Sequence, residues 1–239
     1  HEVRIGIFDS GIGGLTVLAE AVKEFPEADY IYFADTGNVP YGTKSREEVE
    51  SLVFKAADFL NNKGIDALVI ACNTATSVGV EELRRRYSFP VIGMEPAVKI
   101  ALEKDKNKKV LVMATALTLK EDKFKKLVHV TGGDSRVEGL PMPSLVTFAE
   151  NKNFNGKEVE EYIRKSLSDF PVEEFGALVL GCTHFIYFKE LIRRVLPDNI
   201  DIIDGNSGTV KNLISKLKEK KVKVERKIEY YSSKKNFCL

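Results

Sequence analysis

"ALVIACNTAT", Ala67–Thr76, and "ALVLGCTHFI", Ala177–Ile186, are two copies of one apolar ramp, each delivering a cysteine at its top. A short unbroken apolar run of this kind reads as a strand buried on both faces. Each ramp then gives way to polar residues that open a helix: Asn73 and Thr74 after Cys72, Thr183 and His184 after Cys182. Such strands belong in a parallel sheet covered by helices, and the repeat points to two α/β units related by approximate two-fold symmetry.

The rest of the chain follows the same alternation. In the first half "VRIGIF", "DYIYFAD", "ALVIAC" and "PVIGM" read as strands. Helices are expected over "LTVLAEAVKEF", from a Ser45–Glu48 capping box to about Asn62, over "TSVGVEELRRRY", and over "PAVKIALEK" with Pro96 at its first position. The second half repeats the scheme with strands "KVLVMA", "RVEGLPM", "ALVLGC" and "DIIDG". Its helices are "TLKEDKFKKL", "KEVEEYIRKSLSDF" capped by Asn155, "FIYFKELIRRVL" and "TVKNLISKLKEKK", and a last strand lies near "KIEYYSS". The fold class is therefore α/β, two pseudo-symmetric doubly wound domains with mainly parallel sheets and a site in the cleft between them. Crossings near "GMEPAV" and "DGNSGTV" divide the chain into 1–95 plus 209–239 and 96–208.

Composition narrows the function classes. Apolar content of 44% with 30% charged residues describes a folded globular chain, not a disordered one. A net charge of +1 gives no reason to expect nucleic acid, and the basic run "KLKEKKVKVERK" is interrupted by Glu219 and Glu225. No apolar run reaches the length of a membrane span, and the first residues, beginning at His1, show no signal-peptide pattern. Three cysteines, Cys72, Cys182 and Cys238, cannot form a fully paired disulfide framework, so a reducing cytoplasm is expected.

The chemistry is carried by strand ends. Ligands of open α/β sheets sit beyond the carboxyl ends of the strands, where both ramp cysteines fall. Free N–H groups at a helix start favour an anion and a thiolate. Two facing thiols suit proton removal from one face of a carbon and return to the other, since a thiol titrates near pH 8.5. The plain reading of one such cysteine is a small buried hydrophobe. The repeat argues against it, because packing alone does not require both ramps to end in Cys followed by hydrogen-bonding residues. A metal site on Cys72, Cys182 and His184 is the other alternative, although the closely spaced Cys pairs of structural zinc are absent.

Other loops supply further candidates. Asp9 and Ser10 end the first strand in "IFDSGIGG"; Asp9 either caps the turn or orients the Cys72 thiol. That loop fits neither G-x-G-x-x-G nor a Walker motif, which argues against a nucleotide site. Tyr41 and Gly42 in "NVPYGT" either belong to a Pro-initiated turn or offer a distal carboxylate a phenol and an N–H. Thr115 and Thr118 in "ATALT" either cap a helix or bind substrate. His184 stands two residues after Cys182, where it is either a capping or core residue or tunes that thiol, and Glu150 at the end of "SLVTFAE" is either an exposed helix residue or fixes the imidazole in one tautomer. His129, between valines, reads as structural.

Taken together, "GIFDSGIGGLTVL", "YFADTGNVPYGTKS", "ACNTAT", "ATALT" and "GCTHF" resemble the cofactor-independent aspartate/glutamate racemase superfamily, and within it the glutamate racemases. The segments run in that family's order over most of the chain. The resemblance implies interconversion of L- and D-glutamate without a cofactor, D-glutamate passing to peptidoglycan, in a cytoplasmic homodimer. It implies Cys72 as base toward the D-enantiomer and Cys182 toward the L-enantiomer. Asp9 would assist the first thiol, and His184, supported by Glu150, the second. Ser10, Tyr41, Gly42, Asn73, Thr74, Thr115, Thr118 and Thr183 match substrate-contact positions, as do Asp9 and His184. Two departures stand out: Glu121 where the family often has Ser, and "VTFAE" where it usually has V-P-L-V-E. An aspartate or hydantoin racemase on the same scaffold, and a non-catalytic thiol or metal sensor, are the competing readings.

Overall fold

The computed structural model describes residues 2–217 and 225–234; Cys238 and the centre of the basic run lie outside them. In the first half the order is β1 (Arg4–Asp9), α1 (Leu15–Glu24), β2 (Asp29–Ala34), α2 (Arg46–Asn61), β3 (Ala67–Ile70), α3 (Asn73–Arg86) and β4 (Val91–Ile92). There follow α4 (Val98–Lys104), β5 (Lys109–Ala114), α5 (Ala116–Lys120), α6 (Asp122–Val130), β6 (Val137–Pro141), α7 (Pro143–Glu150) and α8 (Lys157–Leu167). The chain closes with β7 (Phe175–Leu180), α9 (Lys189–Val195), β8 (Asp201–Asp204), α10 (Asn206–Lys216) and β9 (Ile228–Ser232).

Two sheets form, ordered β4-β3-β1-β2-β9 and β6-β5-β7-β8. Every described strand pairing is parallel. Read outward from the ramp strands, β4-β3-β1-β2 and β8-β7-β5-β6 are the same arrangement, so β3 and β7 are equivalents and β9 is an addition to the first sheet. The equivalence extends to single bonds. Ala71 N–H donates to the Phe8 carbonyl at 2.7 Å, and Gly181 N–H to the Met113 carbonyl at 2.7 Å, just before each cysteine. The repeated ramp in the sequence is thus a repeated place in the fold.

Burial follows the two-residue period of the strands. Ile5, Ile7, Tyr30, Tyr32 and Val69 face α1 and α10, whereas Phe8, Ile31, Leu68 and Ile70 face α2 and α3. The second sheet buries Leu111, Met113, Leu178 and Leu180 against α7, α8 and α9, and Val110, Val112 and Val179 against α4 and α6. Leu68 is fully buried within its cluster. Leu68→Ala is expected to destabilise the protein by about 3 kcal/mol, read as a lowered urea midpoint at unchanged slope.

The structure moves several expected boundaries. Ser45 caps α2 as expected, accepting the Glu48 N–H. The α3 helix starts at Asn73, not Thr76, because Cys72 itself acts as the cap. Pro96 precedes α4 instead of opening it, since Ala97 is non-helical at φ −77° and ψ 53°. "TLKEDKFKKL" is two helices, broken where Glu121 turns extended and reaches Arg46 at 3.2 Å. Asn155 caps nothing: Gly156 holds the cap position, and Asn153 Oδ1 accepts its N–H. The segment after Cys182 is a 3₁₀ stretch, Thr183–Phe188, before α9 begins. The apolar "SLVTFAE" is α7, started by Pro143 at its first turn, and it carries Glu150 at its end.

Candidate active site

Cys72 sits at the start of α3 with its sulfur accepting the Ala75 N–H at 3.4 Å and its thiol directed at Ser10 Oγ, 3.8 Å away. It is 6% exposed and not in a disulfide. Asp9 lies in the same pocket, wholly buried, where its Oδ2 accepts the N–H groups of Gly11 and Gly14 at 3.1 Å each. Burial, and then the charge of Asp9, push the Cys72 thiol far above its usual range, and the Ala75 and Ser10 contacts only partly oppose this. The expectation that a helix start makes this thiol acidic is corrected: one N–H is outweighed by desolvation and a neighbouring carboxylate. Cys182 is among the charges felt by Cys72, so the two sulfurs share one electrostatic neighbourhood.

The second half treats its thiol differently. Cys182, free and 8% exposed, makes no cap bond, and its sulfur faces His184 Nδ1 at 3.8 Å. His184 Nε2 meets Glu150 Oε1 at 2.9 Å, the pairing expected from the sequence. Thr183 Oγ1 reaches across to Asp9 Oδ1 at 3.4 Å. Desolvation opposes charge on the buried imidazole of His184. Hydrogen bonds to Cys182 and Glu150 and the charge of Asp9 overcome it, raising its pKa well above the ordinary 6.5. Asp9 in turn is raised by burial, against the lowering effect of His184 and of the Gly14 and Gly11 N–H groups.

The sign of the His184 effect sets a stability prediction. A raised folded value means that the His184–Glu150 contribution is complete below about pH 6.5. It fades as pH rises through the folded value. Glu150→Gln is expected to flatten that slope, so the stability gap between parent and variant, measured by urea unfolding, narrows from pH 6 to pH 9.

Three hydroxyls close a ring near the first thiol. Thr115 donates to Thr118 at 3.0 Å, Thr118 to Thr74 at 3.2 Å, and Thr74 and Thr115 are 2.7 Å apart. All three are buried. Thr115 also caps α5, so the two readings of that residue coexist. Gly42 lies so close to Thr115 that a Cβ there would be 2.4 Å from the threonine Cβ, which ties the 36–45 loop to the second sheet's strand ends. Asn73 donates from Nδ2 to the Met94 carbonyl at 3.0 Å, and its buried Oδ1 has no hydrogen-bond partner. A cavity of about 230 Å³ opens beside Gly42 and Thr115, walled also by Pro40, Lys44, Leu117 and Val146. Neither sulfur lines it.

The Tyr41 hydroxyl donates to the buried Asp35 Oδ2 at 2.5 Å. Asp35 went unread in the sequence although it lies inside "YFADTGNVPYGT"; it also accepts from Asn38 Nδ2 at 2.8 Å and so organises the loop. Tyr187, whose hydroxyl donates to the Ile12 carbonyl at 2.7 Å, was also missed, and nothing in "FIYFKE" signals it. His129 pairs with Asp134 on an exposed surface. Among the described residues no group of three His, Cys, Asp or Glu side chains is arranged to hold a metal.

Residues 10–213 match the family described as Asp/Glu/Hydantoin racemase, and the chain belongs to that family. Its relatives are more particular. It is 55% identical over 211 residues to the glutamate racemase of Halothermothrix orenii, covering 88% of this chain and 83% of that protein. The crystal structure of a glutamate racemase from Bacillus anthracis matches with a TM-score of 0.88 and 32% identity over 98% of this chain and 89% of the other. A glutamate racemase from Francisella tularensis, solved in complex with D-glutamate, matches with a TM-score of 0.85 at 32% identity, covering 98% and 89%. By this kinship the protein is an isomerase acting on amino acids, of the glutamate racemase type.

Proposed function

We propose that this protein interconverts L- and D-glutamate with two thiols and no cofactor. The observation that carries the reading is the pair of free, buried cysteines at equivalent strand ends, each within electrostatic reach of Asp9 or His184. Inversion needs a base on one face and an acid on the other. Cys72 as thiolate takes the α-proton of D-glutamate, and the bonding electron pair stays on the α-carbon. The Cys182 thiol then delivers its proton to the opposite face, leaving L-glutamate; the reverse direction exchanges the roles. Asp9 serves the first thiol, and His184, held by Glu150, serves the second.

The carbanion is stabilised by donors already in place rather than by an electron sink. The ring of Thr74, Thr115 and Thr118, with Ser10 and Thr183, supplies hydroxyls that turn toward a carboxylate. Asn73 Oδ1, buried without a partner, is an acceptor for the substrate ammonium. Tyr41 and Gly42 wall the distal end. With both sulfurs almost wholly buried, substrate reaches them when the two units part. We place the division at 1–95 plus 209–239 and 96–208, the crossings serving as hinges. No described helix is long and apolar enough to cross a membrane. The reading extends to a cytoplasmic homodimer whose D-glutamate enters peptidoglycan.

The test is solvent deuterium at the α-carbon. Protein free of added cofactor, given each glutamate enantiomer in D₂O, is expected to label both and to turn over L-aspartate far more slowly. A requirement for added pyridoxal phosphate, or faster turnover of aspartate, overturns the reading.

A further inference from the structure

The backbone of Ile12 is gripped at both its N–H and its carbonyl by residues that follow the second sheet's strands. Its N–H donates to Glu150 Oε1 at 2.9 Å, and its carbonyl accepts the Tyr187 hydroxyl at 2.7 Å. The same Glu150 oxygen is the partner of His184 Nε2. Ile12 stands in the middle of the turn whose Gly11 and Gly14 N–H groups hold Asp9. The backbone of one residue therefore joins the carboxylate beside Cys72 to the imidazole beside Cys182.

The join has no slack. A Cβ at Gly11 would lie 1.4 Å from Glu150 Oε1, and one at Gly13 would lie 2.6 Å from the His184 backbone nitrogen. Tyr187 is itself braced, its ring packed on Phe154 with centroids 4.9 Å apart. The 3₁₀ geometry of Thr183–Phe188 explains its reach. At three residues per turn His184 and Tyr187 eclipse, so both project toward the Asp9 turn; α-helical rotation would carry them about 60° apart.

We propose that Tyr187 is a positioning residue for the reaction, locking the Asp9 turn at one thiol to the His184–Glu150 pair at the other through the backbone of Ile12. The proposal rests on the two-thiol racemase reading. Inversion requires the abstracting and the donating group to be in place together. When the second is loose, the carbanion recovers a proton on the face from which it lost one. Tyr187 touches no reacting atom; it holds the alignment of groups that do.

The experiment compares the parent and Tyr187→Phe in D₂O with each glutamate enantiomer separately. It reads the ratio of deuterium washed into unreacted substrate to inverted product. Tyr187→Phe keeps the ring and its packing on Phe154 and removes only the hydroxyl. The ratio is expected to rise about 5-fold or more, because a misplacement of about 1 Å can cost about 100-fold in rate. A loss confined to folding lowers exchange and inversion together and leaves the ratio unchanged. An unchanged ratio in the variant, with normal exchange in the parent, overturns this proposal alone. A parent that exchanges neither enantiomer overturns the racemase reading and this proposal with it.

Discussion

Cys72→Ser and Cys182→Ser are each expected to lower kcat/KM for racemisation by about 10³-fold or more, with the fold intact. A positioned acid or base contributes roughly 10²–10⁴-fold, and a serine hydroxyl is far too weak an acid to replace a thiol. The buried setting makes the substitution worse, since the site already pushes even a thiol at position 72 upward. The two variants should differ in what survives. With Cys182 intact, Cys72→Ser still exchanges the α-proton of L-glutamate with solvent while failing to invert it. With Cys72 intact, Cys182→Ser does the same for D-glutamate. Proton NMR in D₂O separates these outcomes. Turnover within tenfold of the parent in both variants would remove the basis for a base on each face.

Asp9→Asn is expected to cost about 10²-fold in kcat/KM while making Cys72 more acidic. These opposite signs follow from the geometry. The Asp9 charge is, after burial, the largest cause of the raised Cys72 pKa, so its removal lowers that pKa. An asparagine oxygen can still accept the Gly11 and Gly14 N–H groups, and its amide can donate to Thr183, so the turn persists. What is lost is the negative charge that the His184 imidazolium and the neighbouring thiol both sense. The midpoint of Cys72 alkylation by iodoacetamide, located by mass spectrometry, should move to lower pH even as turnover falls. A midpoint that stays or rises means that Asp9 does not act on this sulfur through its charge.

Asp9 and Glu150 also show how far sequence reading reaches. Asp9, Ser10, Cys72 and Asn73 sit at strand ends beside glycine or helix-start patterns, so their place beyond a parallel sheet follows from local signals. Glu150 had no such local signal: it ends an apolar helix, its pairing with His184 was named through the family resemblance, and its bond to the Ile12 N–H is seen only in the fold. Tyr41 was legible as a candidate site residue, and the structure bonds its hydroxyl to Asp35, a partner six positions away that no periodicity identifies. Glu121 shows the same limit in the scaffold. Its helix-forming neighbourhood predicts continuity, and the extended break that carries its pairing with Arg46 is a tertiary arrangement.

The amino-acid order alone determined that apolar ramps alternate with helices, that the ramp occurs twice, and that each copy ends in a thiol. Those are short-range facts, fixed by burial periodicity and by the steric needs of turns. Only the tertiary structure decided that the two ramps occupy equivalent strands of separate parallel sheets. It also decided that one thiol lies within reach of the Asp9 charge and the other beside His184, and that the backbone of Ile12 joins the two groups. The reason is physical: charge and hydrogen bonding at the site act through space between groups far apart in the chain, and no local pattern encodes a distance across a cleft.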